Sequence, residues 1–533
     1  MNDSLKCAPI SLCMLRVADY ILVQSQMLKQ LNYDPNHDTI FFAGDLLAKS
    51  SHSSSLSVLS FLTEHHIHNG AEKMFPVRGN HDQLIVQWRA WREWFEGLIL
   101  DTYAASQPPR RFSVARFLAP DRLVPSLLRR LFATSAAPDS APPASTGREF
   151  LQLLEAEWAI ARIERDADPE EYADVARKRA EGTWREEWWR RVPQPGKGRA
   201  KQQWSMFGDH YWLARYTDTS TSPSKAPSRT DGNSPEIRDM TQEQANYLFS
   251  LPLVLHVPHL HFFVAHAGLL PSDPRLPPTD RSQPLAHAPT LAQKSAAASE
   301  HAAEDDRVLL SRLQAHLLAQ ESSADSSSLF TQRRPSRDLD TRALGDLRRA
   351  QESAILSDVP QNRDPWVVLN MRSVTKKHKV TRNGDKGTPW SKLWNRDMDA
   401  CRGFDAGVAT RPKPGDYELP CRPATVVYGH AATRGLDVKR WSMGLDTGCL
   451  YGRKLTALVL SNATNAAEDD SWFGGGEDED EDEDEEDEDD DDDDDGEADS
   501  RPKRKRVQFG DPDSGINARL VGVECPNMDD DED

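Results

Sequence analysis

A tetrapeptide with metal-binding and proton-transferring side chains, Gly-Asn-His-Asp, stands at residues 79–82. It places an amide oxygen, an imidazole and a carboxylate side by side, directly after the apolar residues 75–77. Amide oxygens bind divalent cations, imidazoles transfer protons, and carboxylates hold an imidazole in one tautomer. Asp45 follows a second apolar stretch, 41–43, in a similar way. These residue types and spacings predict metal-assisted attack by water, with proton transfer to a leaving group.

Two histidines repeat the pattern in the second half of the chain. His266 follows the apolar stretch 260–265, and His430 follows residues 426–429. A single strand histidine is more often a hydrogen-bonded core residue than a ligand. The recurrence of the pattern at strand ends nevertheless predicts metal ligands on loops. Four segments offer them: Asp45, Asn80 with His81, His266 and His430. Three neighbouring histidines are expected to be structural or exposed: His256, His259 and His261.

The elements that must position these side chains alternate between strand and helix. Residues 39–43 and 75–77 are predicted strands, and residues 56–64 between them form a predicted helix. Order is predicted again at 236–270 and in later stretches, which are 366–370, 425–430 and 454–460. A helix with a buried aromatic face is predicted from tryptophans at every third position: Trp88, Trp91 and Trp94. This alternation predicts the α/β class.

Two biased stretches are predicted insertions within a domain spanning 21–462. Residues 101–200 are Pro- and Ala-rich and then helical, whereas 273–360 are Ser- and Ala-rich and predicted to be mostly disordered. Residues 463–533 are predicted to form a disordered tail. They contain 19 consecutive acidic residues at 477–495, which repel one another.

Charge is distributed unevenly along the chain. The 533 residues carry a net charge of -20, but residues 468–533 alone carry 32 acidic and 6 basic side chains. The remaining 467 residues therefore carry +6, which suits an anionic substrate. We expect no nucleic acid partner. A basic patch in the tail offers two further hypotheses, a nuclear-import signal and a docking motif for protein phosphatase 1 formed by Arg506, Val507 and Phe509.

The six cysteines show no paired metal spacing, so we expect reduced thiols. The longest apolar stretch, 251–270, is interrupted by four histidines and by Pro258, and we predict no transmembrane helix. Residues 1–20 lack the features of a secretory signal. The chain as written is therefore expected to be cytoplasmic, with the nucleus as the alternative from the basic patch.

The motif-bearing stretches resemble the calcineurin-like metallophosphoesterase superfamily. Within it they look like the fungal zinc-dependent endopolyphosphatases, which are relatives of bacterial symmetrical dinucleoside tetraphosphatases. The stretches that carry the resemblance are residues 58–61, 78–83, 366–374, 387–392 and 427–460. The resemblance implies an α/β fold in which a β-sandwich of two mixed sheets is flanked by helices, with the site at the strand ends. It also implies a vacuolar location if an N-terminal anchor has been lost.

Roles for the motif residues follow from the resemblance. It implies that Asp45 bridges two divalent metals, and that His81 is the general acid, held by Asp82. Arg78 would grip the phosphate under attack, and Arg434 would also bind the substrate. The second metal would be completed by Asn80, His266 and His430. Zinc is implied by the resemblance, and the same donors accept manganese or cobalt.

One family motif is missing. The superfamily opens with a strand and Gly-Asp-x-His-Gly, which holds the first metal, whereas residues 15–21 read Leu-Arg-Val-Ala-Asp-Tyr-Ile. We therefore expect one complete metal site, one incomplete site and impaired hydrolysis. A truncated start of an active enzyme explains this better than a non-catalytic phosphate-binding relative, because the Arg78, His81 and Asp82 side chains are all present.

The expected activity is endohydrolysis of the phosphoanhydride bonds of inorganic polyphosphate. Metal motifs specify the chemistry at phosphorus and not what is attached to it. Dinucleoside polyphosphates and serine or threonine phosphoproteins are therefore alternative substrates.

Overall fold

The computed structural model describes twelve stretches of the chain, and the mixed α/β content of these stretches confirms the predicted fold class. They are residues 21–35, 37–47, 52–67, 74–99, 146–165, 208–215, 240–289, 336–406, 409–410, 417–462, 504–511 and 515–525. The chain divides into two compact units. One comprises Met1–Gln83 with Thr241–Asp533, and the other comprises Leu84–Met240.

The helices of the described stretches include those predicted from periodicity. They are α1 (Ile21–Gln30), α2 (His52–Ile67), α3 (Asn80–Glu96), α4 (Gly147–Arg165), α5 (Asp209–Leu213), α6 (Gln242–Ser250), α7 (Ser336–Asp358), α8 (Pro365–Asn370) and α9 (Trp390–Asp399). Two 3-10 turns add Pro360–Arg363 and Cys449–Tyr451. The helix predicted at 56–64 lies inside α2, and α6 begins with a capping box in which Thr241 and Gln244 exchange hydrogen bonds.

The strands are short apart from two. They are β1 (Ile40–Phe42), β2 (Met74–Pro76), β3 (Val254–Val257), β4 (Phe262–Ala265), β5 (Ser373–Val374), β6 (Val380–Thr381), β7 (Thr388–Pro389), β8 (Ala409–Thr410), β9 (Tyr417–Glu418), β10 (Thr425–Tyr428), β11 (Asp437–Lys439), β12 (Ser442–Gly444), β13 (Lys454–Asn462), β14 (Arg504–Val507) and β15 (Ile516–Glu524). The predicted strands at 39–43, 75–77 and 260–265 correspond to β1, β2 and β4.

The largest sheet has five strands in the order β11-β12-β10-β4-β3. Its centre is parallel, because β10 runs parallel to both β4 and β12, while β3 and β11 pair antiparallel at the edges. All residues of β4 and β10 are buried, as expected of central strands covered on both faces. The carboxyl ends of β4 and β10 therefore meet at one edge, directly before His266 and His430.

Side chains of the central strands alternate between two hydrophobic clusters. Val264 and Val427 pack with residues of β13 and β15, such as Leu458 and Leu520. On the opposite face, a second cluster contains side chains from both central strands and from α9: Phe263, Ala265, Val426, Tyr428, Trp390 and Trp394. The twofold periodicity of an extended strand produces this division. The described strands fall into five sheets, and the two-sheet sandwich stays a prediction.

The prediction of a disordered tail from 463 onwards is wrong for its last described part. β15 pairs antiparallel with β13 over nine positions, from Lys454↔Glu524 to Asn462↔Ile516, and β14 pairs with its other side. Leu520, Val521 and Val523 are buried. The strand was not predicted because the many acidic residues around it dominate the average composition of residues 463–533. The acidic run at 477–495 lies outside the described residues.

The proposed docking motif for protein phosphatase 1 is part of this sheet. Arg506 and Val507 belong to β14, and Phe509 is 3 % exposed with its ring against that of Phe262 at 5.8 Å. A docking motif must offer its Phe side chain to a partner. Because the core of this chain already holds Phe509, the docking prediction is not supported.

The second predicted insertion, 273–360, is ordered at both of its ends. Residues 273–289 are described, and α7 covers Ser336–Asp358. The helix was missed because several of its buried contacts are polar. Glu352 is fully buried, with its carboxylate 2.6 Å from His256 Nε2 and 2.9 Å from His261 Nδ1. Burial raises the pKa of Glu352, but the hydrogen bonds to the two histidines lower it by more, so the pKa is lowered overall. Within this insertion, the sequence of residues 308–318 is amphipathic, but these residues lie outside the described part of the chain.

The expectation of reduced thiols is wrong for four of the six cysteines. Disulfides join Cys401 to Cys421 and Cys449 to Cys525. Sequence spacing cannot reveal such pairs, because the partners are 20 and 76 residues apart and meet only in the folded chain. The second bond ties the end of β15 to the turn before β13.

Removing the bond between Cys449 and Cys525 should destabilise the protein more than removing the bond between Cys401 and Cys421. Loop-closure entropy gives about 4.5 kcal/mol for the longer loop and about 3.3 kcal/mol for the shorter one. We expect the paired Cys→Ser variants to follow this order in thermal melts without reductant. A native thiol titration that finds all six cysteines reactive would contradict the assignment.

The Leu84–Met240 unit contains the predicted buried aromatic face. Trp88 is 0 % exposed and Trp91 is 4 % exposed, which confirms the prediction for both, while Trp94 is half-buried. Arg92 donates to the Glu155 carboxylate at 2.8 Å, and the Tyr211 hydroxyl donates to the same oxygen at 2.6 Å. These buried polar contacts join α3, α4 and α5.

Among the helices of the described stretches, none combines the length and the apolar character needed to cross a membrane.

Candidate metal centre

The loops that end β1 and β10 turn sharply at two of the predicted ligands. Asp45 has φ 55° and His430 has φ 64°, and Gly44 precedes Asp45 with φ 85°. Left-handed backbone is unfavourable for residues with a Cβ and concentrates at functional sites. Both turns follow buried strands, so the rigid sheet fixes where each side chain points.

The four predicted donors converge on one point. Asn80 Oδ1 lies 2.9 Å from His266 Nε2 and 2.9 Å from His430 Nδ1. The two histidine nitrogens are 3.1 Å apart, and His266 Nε2 lies 3.4 Å from Asp45 Oδ1. One ligand atom each from Asp45, His266 and His430 falls within 4.8 Å of the others. The placement predicted from strand ends is therefore observed for all four residues.

The chemistry of these donors fits a divalent cation. His266 Nδ1 lies 2.8 Å from the carbonyl oxygen of Ala43, which only accepts, so Nδ1 carries the hydrogen and Nε2 presents its lone pair to the cluster. That lone pair faces the oxygens of Asn80 and Asp45, which are also acceptors. A cation satisfies such a set of acceptors, and the Ala43 carbonyl fixes the imidazole ring as an outer contact does in metal sites.

The Asp82 carboxylate does not hold His81 as predicted but joins two loops. Its oxygens accept hydrogen bonds from three backbone amides: Leu46 N (3.2 Å), Leu47 N (2.9 Å) and Gly79 N (2.7 Å). The side chain is fully buried, and burial together with the Asp45 carboxylate raises the pKa of Asp82 to about 7. Asp82 therefore clamps the loop of Asp45 to the loop of Asn80. Backbone partners leave no signal in a sequence, which is why this role was missed.

His81 and Arg78 lie beside the donors. The His81 backbone N–H donates to Asp45 Oδ1 at 3.0 Å, and the residue is buried in the first turn of α3. The Arg78 guanidinium is half-buried, where it donates to Gln83 Oε1 at 2.9 Å and to the carbonyl oxygen of Phe249. The catalytic role of His81 and the phosphate contact of Arg78 stay predictions.

Further arginines surround the loop of His430. Arg434 Nη1 lies 3.2 Å from Asp437 Oδ2, so the predicted substrate-binding guanidinium is held by an ion pair on its own turn. Arg372 donates from Nη2 to the carbonyl oxygen of His430 at 3.0 Å, and Arg453 donates to the carbonyl oxygen of Ala432. Arg372 and Arg453 were not predicted as site residues, because nothing in their sequence surroundings distinguishes them.

The described donors form one candidate cation site. The pair expected to hold another metal would fall near residues 16–18, and residues 1–20 lie outside the described part of the chain. The donor set of one carboxylate, one amide oxygen and two imidazoles suits zinc, manganese and cobalt alike.

Comparison with known proteins gives a family match over part of the chain. Residues 23–120 match the sequence model of the calcineurin-like phosphoesterase family. The matched segment includes Asp45 and Asn80.

Two curated relatives are symmetrical bis(5'-nucleosyl)-tetraphosphatases. The protein from Nitrosospira multiformis is 47% identical over 45 residues, which are 8% of this chain and 16% of the relative. The protein from a Janthinobacterium species is 45% identical over 51 residues, which are 9% of this chain and 19% of the relative. This chain thus spans less than a fifth of the length of these relatives.

A crystal structure of a candidate diadenosine tetraphosphatase matches 85% of this chain and 93% of its own, with 14% identity and a TM-score of 0.29. That score is too low to support an argument. The likeness to the calcineurin-like phosphoesterase family is therefore shown for residues 23–120, which are less than a fifth of this chain.

Proposed function

We propose that this protein is a metal-dependent phosphohydrolase that cleaves phosphoanhydride bonds, with inorganic polyphosphate as its substrate. The observation that carries the proposal is the convergence of Asp45, Asn80, His266 and His430 on one point, with 2.9 Å between Asn80 Oδ1 and each imidazole. Carboxylate, amide and imidazole donors of this kind serve hydrolytic metal centres.

A bound divalent cation would supply positive charge to the phosphate oxygens and acidify water for attack. His81 would give a proton to the leaving oxygen. Its position is fixed by the hydrogen bond from its backbone N–H to Asp45 Oδ1 at 3.0 Å. A phosphate leaving group has a pKa of about 6, so its protonation matters less than charge neutralisation. Arg78 and Arg434 would contribute guanidinium groups to that neutralisation.

Support for polyphosphate comes from the charge around the site. Several arginines lie on or next to the His430 loop, including Arg372, Arg434 and Arg453. A substrate that consists only of linked phosphates matches such a surface. The sequence resemblance to fungal endopolyphosphatases points to the same substrate.

A dinucleoside tetraphosphate is the second candidate substrate. The names of the two curated relatives favour it, and its phosphate bridge contains the same P–O–P bonds. A protein phosphomonoester and a non-catalytic phosphate-binding role are further alternatives. The same donor cluster fits each of them, because it recognises phosphorus chemistry alone.

The two disulfides support an oxidising compartment, which favours the vacuolar expectation over the cytoplasmic and nuclear ones. Cytosolic thiols are normally kept reduced.

We expect the purified chain loaded with zinc, manganese or cobalt to shorten long polyphosphate into mid-length fragments, at the reduced rate that an incomplete second metal site implies. Chain-length analysis on gels measures the products, and metal-stripped protein in EDTA is the control. Cleavage of dinucleoside tetraphosphate in preference to polyphosphate would support the second candidate instead. Hydrolysis of phosphopeptides alone would exclude both anhydride substrates, and the absence of metal-dependent hydrolysis of any of these substrates would contradict the enzymatic proposal.

A further inference from the structure

One basic segment of the chain body lies next to the metal centre. Residues 372–392 contain seven Lys and Arg and one Asp. Their net charge of +6 equals that of all residues from 1 to 467. The segment therefore attracts anions to the neighbourhood of the metal centre.

The lysines of the segment are exposed at the turn between β5 and β6. Lys376, Lys377 and Lys379 are exposed, and Lys386 is exposed on the following turn. His378 occupies the hairpin turn with φ 59°. Within the described stretches, none of these four lysines forms an ion pair with a carboxylate. Their charge is therefore available to a ligand.

The hairpin begins at a residue that touches the metal centre. Arg372 donates from its guanidinium to the carbonyl oxygen of His430 at 3.0 Å. Its backbone N–H donates to Thr381 O at 3.0 Å, and its carbonyl accepts from Trp390 N at 3.3 Å. Arg372 thus links β5 to the ligand loop on one side and to both neighbouring segments on the other.

Packing holds the small sheet firmly against the ends of β4 and β10. The Trp390 ring lies 4.6 Å from that of Tyr428, two residues before His430. It also covers Gly268, where an added Cβ would stand 2.1 Å from Trp390 Cε2. Trp390 directly follows β7, so its packing holds the three-stranded sheet β6-β5-β7, which carries the lysines, next to the metal centre.

The hairpin turn is close enough to the site to meet the same substrate molecule. Lys377 lies five positions after Arg372, which limits the distance between their Cα atoms to about 18 Å. A linear chain of phosphates can extend over any distance up to this limit, whereas a single phosphate stays at the metal centre.

We propose that the hairpin of residues 375–379, together with Lys386, binds the distal phosphates of a linear polyphosphate chain whose reacting bond lies at the metal centre. The inference rests on the proposed function and deepens it, because it names the surface that selects chains over small phosphates. Lysine ammonium groups act as point charges without directional demands. They therefore suit a repeating anion that slides along the surface.

Nucleic acid fits this surface less well. Segment 375–388 contains no Phe, Tyr or Trp, whereas proteins that bind single strands stack bases on aromatic side chains. The exposed lysines of the hairpin recognise charge, and a ligand made of phosphates alone uses all of it.

The test measures the binding of long polyphosphate to the full chain in EDTA, at low and at near-physiological salt. Lys377→Glu/Lys379→Glu should bind about tenfold more weakly at low salt, and the difference should shrink as salt is added. Lys377→Arg/Lys379→Arg should retain binding within about twofold, because the charge is kept. Pyrophosphate binding should change less than polyphosphate binding.

The matched control is Lys505→Glu/Arg506→Glu on β14, which makes the same change in net charge at two exposed positions. β14 leads to Phe509, which contacts Phe262 at the start of β4, opposite the end that precedes His266. The control should bind polyphosphate within about twofold of the unaltered chain. Circular dichroism of each variant verifies the fold.

Equal losses in the hairpin and control variants would overturn the inference, because net charge would then explain them. Tighter binding of a single-stranded oligonucleotide than of polyphosphate at equal phosphate concentration would overturn it as well. Failure of the proposed function is distinguishable. In that case the metal-loaded protein would not cleave polyphosphate, although the EDTA-treated protein would still bind it through the hairpin.

Discussion

Asp45→Asn should abolish tight metal binding and lower the rate of phosphoanhydride hydrolysis by about 10² to 10³-fold. Asp45 is the only carboxylate in the cluster of four donors, and it is fully buried. The substitution keeps the shape and the oxygen that accepts from His81 N at 3.0 Å. It removes only the negative charge, so the effect reports on the cation and not on lost packing.

The same variant separates metal binding from stability. Asp45 and Asp82 are two buried carboxylates, and the charge of Asp45 raises the pKa of Asp82. Neutralising Asp45 relieves this repulsion, so the metal-free variant should melt at the same temperature as the unaltered chain or higher. Saturating metal stabilises a binding protein by about 2.7 kcal/mol at 100 times Kd. We expect this metal-induced shift in the unaltered chain and its loss in Asp45→Asn.

Asp405→Asn is the control, since Asp405 is exposed. Elemental analysis and calorimetric titration measure the bound metal, and polyphosphate chain length measures activity. An Asp45→Asn protein that binds metal and hydrolyses the substrate like the control would remove the assignment of this cluster as the metal centre.

The four donors were predictable because each follows an apolar strand. The parallel pairing of β4 and β10 then delivers His266 and His430 to the same edge. Periodicity predicted the strand ends, and the family resemblance implied which residues there are ligands. The α/β class followed from the same signals.

Other parts depended on contacts that carry no local signal. Asp82 looked like an imidazole partner because it adjoins His81, yet its actual partners are backbone amides. The disulfide between Cys449 and Cys525 and the pairing of β15 with β13 join distant segments. The alternating burial of β15 is visible in Ile516–Glu524 only after the acidic residues around it are set aside. Composition averaged over a tail hides one strand within it.

Gly79→Ala should cost both stability and metal binding, because the loops of Asp45 and Asn80 meet backbone to backbone. A Cβ at position 79 would stand 2.0 Å from Asp45 N and 2.2 Å from Asp45 Oδ1. Gly44 meets the same constraint from the other side, since its Cβ would stand 2.8 Å from Gly79 N. No rotamer change relieves a clash with backbone atoms, so the loops must separate.

Separation of the loops would also break the Asp82 clamp, whose shortest hydrogen bond, 2.7 Å, comes from Gly79 N. Overpacking of a rigid contact costs about 1 to 3 kcal/mol, and a lost buried hydrogen bond adds about 1 kcal/mol or more. We therefore expect the free energy of unfolding to fall by about 3 kcal/mol, as measured by denaturant titration of the metal-free protein.

Gly384→Ala is the matched control, because a Cβ there meets nothing within 4 Å. It should leave stability within about 0.5 kcal/mol. The two site variants are therefore distinguishable. Both should lose metal binding, but only Gly79→Ala should lower the free energy of unfolding of the metal-free protein. A Gly79→Ala protein as stable as the Gly384→Ala control would mean that the two loops are not packed against each other. The clamp by Asp82 would then have no part in bringing Asp45 and Asn80 to a common cation.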